Sequence, residues 1–201
     1  MVCAAGRRAH AQPGTARLAL LKELLETIGA AGDALKKVAA GFKELVVTGV
    51  QGYDGVQARL LHTKLVHISK DTADLLVAQS SLPPTLGHYA GRAETMGPEQ
   101  RAAAWRNIVN QLRNILVVVD GLMNRVKQDR NDFVLEPAYL KLQRALAARS
   151  DLLTQLIAIE APAGKEELAI IAEAGQRYAV LIRELESARD EMNAYVKTLK
   201  P

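Results

Sequence analysis

The sequence predicts an all-α protein, an elongated antiparallel bundle of four to five long heptad-patterned helices. Three observations predict it. Apolar residues recur at alternating spacings of three and four along most of the chain, as one stripe along a helix requires. The rhythm breaks where glycine and proline gather. Of 201 residues, 49% are apolar and 4% aromatic, a composition that gives one ordinary domain a sizeable core without staples or structural metal.

The first helix is expected over about Thr15 to Thr48, with Leu18, Leu21, Leu25, Ile28, Leu35 and Phe42 on one stripe. Gly29 and Gly32 weaken it midway and predict a bend or a close helix contact there. The glycine-rich stretch from Thr48 to Gly55 reads as a turn, with Asp54 and Gln57 as a capping box opening the second helix. No strand precedes these glycines and no Gly-Lys-Ser/Thr follows, so they do not form a phosphate loop. The second helix runs to about Ser81 along Leu61, Leu65, Ile68 and Leu75. Thr72 and Gln79 are polar members of its seam that would set register or mark a less buried end.

Leu82 to Gly97 contains Pro83-Pro84, Gly87, Gly91 and Gly97 and shows no helical period, which predicts a long loop and the first place to look for function. A third helix begins at Pro98, with Glu99 suited to its first turn, and carries the cleanest seam, from Trp105 through Ile108, Leu112, Ile115, Val119 and Leu122 to Val126. Its apolar face is broad enough to make it central. Asn131-Asp132 breaks the pattern. A fourth helix covers about Pro137 to Glu160, and a last one about Lys165 to Leu199. A four-helix core with one helix outside it is the expected arrangement. Leu60, Leu76, Leu152 and Ile157 fall beside the seams and are expected to form a second apolar face.

Residues 1–14 are expected to be a disordered N-terminus or the remnant of an export signal, and residues 15–201 the single bundle domain. Ala9-His10-Ala11 has the small-x-small pattern of a signal-peptidase site, but Arg7 and Arg8 leave no room for an apolar core upstream. Cleavage after Ala11 would place the protein in the periplasm or outside the cell; without it the protein is cytoplasmic. Cys3 is the one cysteine, so no disulfide forms within the chain.

Net charge is +4, from 26 basic and 22 acidic residues, with the signs alternating along every segment. Neither a basic stripe nor an aromatic platform is present, which argues against nucleic acid. The longest apolar run, Ile115 to Val119, is far too short to cross a bilayer, so the protein is not integral to a membrane.

The chemistry-bearing patterns are sparse. No Glu-x-x-His pair for a di-iron centre, no His-Glu-x-x-His and no Gly-x-Ser-x-Gly occurs. A His and an Asp four apart can share a metal, but His67 and Asp71, with Asp74, Lys64 and Lys70 nearby, read as a solvated charged face. His62 at the core edge has no evident second axial partner for a haem. Asp120, if buried, needs Arg113 or Arg125 as its partner. No enzyme, cofactor or metal is therefore expected. His88, Tyr89, Arg92 and Glu94 in the 82–97 loop, with Arg106 and Asn110 on the amide-rich flank of the third helix, are the candidate ligand- or partner-binding residues. The reading is a non-catalytic helical-bundle module for protein–protein interaction or scaffolding, with a protein partner or self-association through helix faces. The alternative is a small-ligand bundle, sensor or carrier, with its site near the 82–97 loop.

Overall fold

The computed structural model describes residues 13–48, 55–128 and 136–199. The segment ending at Ala11 with Cys3, the turn carrying Asp54, and the break at Asn131-Asp132 lie outside the described residues. Six helices form the rest: α1 (Pro13–Thr48), α2 (Gly55–Gln79), α3 (Leu82–Arg92), α4 (Pro98–Gln128), α5 (Glu136–Ala158) and α6 (Lys165–Thr198). No strand occurs among the described residues. None of the helices is long and apolar enough to cross a membrane.

The fold is all-α, as the periodicity predicts, with five long helices and one short one. The expected four-helix core with a fifth helix outside is replaced by a ring. α1 packs between α5 and α6, α6 against α2 and α3, α2 and α3 against α4, and α4 against α5. Side-chain pairs fix the directions. Asp120 on α4 meets Ser150 on α5, and Ser69 on α2 meets Asn193 on α6, while α2 and α3 run down α6 so that Pro83 comes opposite Gly175. Successive long helices therefore alternate in direction, with α3 continuing the direction of α2. With five long helices the ring closes on a parallel pair: along α1 and α6, Arg17 meets Glu167, Leu25 meets Arg177, and Phe42 meets Tyr195.

The expected loop over Leu82–Gly97 is overturned. Residues 82–92 are helix, and only 93–97 form the connection to α4. Pro83 and Pro84 occupy the first turn of α3, where a missing N–H has no intrahelical acceptor to lose and the fixed φ suits the helix. Leu82, Leu86, Tyr89 and Ala93, spaced four, three and four, make its buried stripe. α3 lies so close to α6 that a Cβ on Gly175 would stand 3.1 Å from the Pro83 carbonyl oxygen and 3.3 Å from Leu86 Cβ. Gly32 permits a milder approach of α1 to α6, 4.0 Å from Leu181.

One further expectation is corrected. Leu152 is wholly buried and Leu76 and Ile157 pack against the core, so of the proposed second apolar face only Leu60 is exposed. Asp120 is half-buried rather than buried, so the condition for an arginine partner is not met; it accepts the Ser150 hydroxyl at 3.1 Å, and Arg125 pairs with Asp71 across the α2–α4 contact. Of the two polar seam residues, Thr72 returns its hydroxyl to the Ile68 carbonyl at 2.7 Å, while Gln79 is buried with neither amide atom partnered.

Candidate functional site

The connection between α5 and α6, residues 159–164, is short, irregular and carries backbone polar groups that no helix satisfies. Three side chains satisfy them. Trp105 on α4 donates its indole N–H to the Ile159 carbonyl at 2.7 Å. Tyr89 on α3 donates its hydroxyl to the Pro162 carbonyl at 2.8 Å, and its ring rests on Trp105 with centroids 5.1 Å apart. Glu167, in the first turn of α6, accepts the backbone N–H groups of Ala163 and Gly164 at 2.9 and 3.1 Å.

The same carboxylate ties this end to α1. Arg17 donates Nε and Nη2 to the two Glu167 oxygens at 2.6 and 2.7 Å, a planar fork on a planar acceptor. Glu160 stands 3.6 Å from Arg17 with its own side chain in solvent. The arginine fork, seconded by the two backbone donors and opposed by burial, holds the Glu167 carboxyl down to about 2 against an ordinary 4.5. A depressed carboxyl stabilises the fold fully above its unfolded-state value, and that stabilisation disappears as pH falls through the interval from 4.5 to about 2. Glu167→Gln is expected to lower stability at neutral pH by about 2 kcal/mol. It should also flatten the acid loss in that interval, which urea unfolding followed across the pH range will show.

Grooves flank the connection on both sides. One, of about 470 Å³, runs between α1 and the end of α5, with Ala16, Leu20, Ala158 and Ile159 as its apolar walls and Arg17, Gln155 and Glu160 at its rim. Leu20 is 56% exposed there. The other, more open and about 560 Å³, is bounded by Glu99, Ala102, Trp105, Arg106, Glu160 and Ala161.

No protein family, curated protein or solved structure matches this chain. Its site is therefore read from its own chemistry.

The residues singled out in the sequence are only partly gathered. Arg106 borders the second groove. Tyr89 is buried and serves the connection, its phenol pushed up mainly by that burial. His88 and Arg92 lie one turn apart on the outer face of α3, with ring and guanidinium nitrogens 3.4 Å apart. Glu94 and Asn110 are exposed, and nothing in the geometry joins them to the others. Among the described residues no group of three histidines, cysteines or carboxylates is placed to hold a metal.

The sequence reasoning missed Glu167, Arg17 and Leu20. Glu167 had a readable signal, an acid three residues after Gly164, the position from which a carboxylate reaches back to the start of its helix. Leu20 lies between the seam residues Leu18 and Leu21 and reads as a solvent-facing neighbour.

Proposed function

We propose that this chain is a non-catalytic helical-bundle interaction module that receives a partner helix in the groove between the start of α1 and the end of α5. The observation that supports it is Leu20, an exposed leucine in a recess of small and aliphatic side chains with charges confined to its rim. Such a recess gains most from an apolar helix face, with the rim setting orientation. A second copy of this chain fits the pattern. One patch holds the exposed Leu20, the small Ala16 and Ala158, and both Arg17 and Glu160. Two copies related by a twofold axis would set the Leu20 of each against the Ala16 and Ala158 of the other, with the solvent-exposed Glu160 at the rim.

Sedimentation velocity over a range of concentrations tests this. The parent chain is expected to associate as concentration rises, and Leu20→Glu to stay monomeric with its unfolding midpoint unchanged, because an exposed position carries little of the core's stability. A chain that is monomeric throughout, and whose photo-crosslinking side chain placed at position 20 captures nothing in the host that Ala158→Arg abolishes, would overturn the reading.

A further inference from the structure

Arg149 occupies a core position of α5, one to two turns from Leu142, Leu146, Leu153 and Leu156 on the same inward stripe, and is 1% exposed. It reaches across the ring interior to Tyr178 on α6, a helix that does not pack side by side with α5. Its Nη2 donates to the Tyr178 hydroxyl at 3.1 Å, and the guanidinium carbon lies 5.1 Å from that ring's centroid. Nε and Nη1 are buried without a hydrogen-bond partner, and no carboxylate among the described residues pairs with the group.

A guanidinium does not escape this position by losing its proton, since its ordinary pKa lies so far above neutral that burial leaves it charged. Desolvation lowers its pKa and raises that of Tyr178, whose phenol stays neutral at physiological pH. The interior thus holds a full positive charge whose one polar contact is a neutral hydroxyl. An uncompensated buried charge is among the costliest features a core can carry, and an anion is the partner that relieves it.

A second buried polar group lies in the same core. Gln79 is 0% exposed and neither its amide nitrogen nor its amide oxygen is partnered. It is the last residue of α2 and precedes Pro83 by four residues, across the turn at Ser80 and Ser81. Tyr178 lies beyond Gly175, the residue opposite Pro83, by three residues or about 4.5 Å in the same direction along the axis. Along α6, Gln79 therefore falls between the levels of Asn193 and Gly175, the stretch that carries Tyr178. An amide N–H₂ and two guanidinium nitrogens supply donors from separate helices.

We propose that the bundle interior between α2, α5 and α6 is a site for one small anion, halide or formate-sized carboxylate, held by Arg149 with Gln79 and taken up as an internal counterion. The site is separate from the α1–α5 groove and does not depend on it.

The test uses the full chain exchanged into buffers of equal ionic strength whose anion is chloride, formate or gluconate, the last too large for a core position. Chloride or formate is expected to raise the urea midpoint over gluconate. At a hundredfold excess over its dissociation constant the anion shifts the folding equilibrium about a hundredfold. Arg149→Met, which fills the position with a similar apolar length, is expected to be indifferent to the anion. In the parent protein labelled with ¹⁵N-arginine, one solvent-protected Nε–H resonance is expected to move on formate titration and to change again in Tyr178→Phe. This reading holds even if Arg149→Met does not fold. Equal midpoints in all three anions together with an unmoved Nε–H resonance would show that Arg149 is no anion site.

Discussion

A Trp105→Ala chain is expected to be about 4 kcal/mol less stable than its parent, the upper range for truncating a buried aromatic. Trp105 is 3% exposed, packs against the tilted ring of Tyr89 and donates to the Ile159 carbonyl. Removing it opens a void between α3, α4 and the 159–164 connection and leaves a buried carbonyl without its donor. Trp105→Phe separates these contributions: the ring contact with Tyr89 survives and the hydrogen bond is lost, so the deficit should fall to about 1–2 kcal/mol. Urea unfolding of the two variants measures both. Equal losses would mean that packing contributes nothing beyond the hydrogen bond. Because the connection also borders both grooves, Trp105→Ala should weaken self-association as well.

Gly175→Val is expected to cost about 3 kcal/mol. The first added carbon already lies within 3.1 Å of the Pro83 carbonyl oxygen and 3.3 Å of Leu86 Cβ, and the former is backbone that moves only if α3 moves. Branching at that carbon adds two more atoms to the same gap. Gly175→Ala should be milder, since about 1 kcal/mol of helix propensity offsets the crowding. Hydrogen exchange separates local from global damage: α3 amides are expected to lose protection first in Gly175→Val, while those of α1 retain it. A valine chain as stable as the parent would mean that α3 yields freely.

The helical seams were legible because aliphatic spacing reports which face is buried, and residues such as Leu61, Ile108, Leu122 and Leu185 are buried where a seam puts them. α3 was hidden because two prolines and two glycines in eleven residues read as punctuation. The beat of four and then three from Leu82 through Leu86 to Tyr89 was present, but eleven residues are too few for a period to outweigh those breakers. The ring was not legible at all. Which helices touch depends on how many close the circle, and each stripe is compatible with several neighbours.

The candidate site was less accessible still. Tyr89 and Arg106 were picked as polar groups near a supposed loop, yet what organises that end is the backbone of residues 159–164, whose unsatisfied carbonyls and N–H groups have no signature in side-chain type. In the sequence Arg149 is one of many charges on an amphipathic helix. Only its place between Leu146 and Leu153 on the inward stripe sets it apart.

The parallel pairing of α1 with α6 has a mechanical consequence. α1 enters at the end where Arg17 meets Glu167, and α6 leaves at the opposite end, beyond Phe42 and Tyr195. Tension applied between these points slides the two helices along each other, loading the contacts from Arg17–Glu167 to Phe42–Tyr195 at once, whereas an antiparallel pair pulled from one end would peel open turn by turn. The α6 rod, 34 residues or about 50 Å long, then acts as a strut whose resistance to stretching is shared over its whole length.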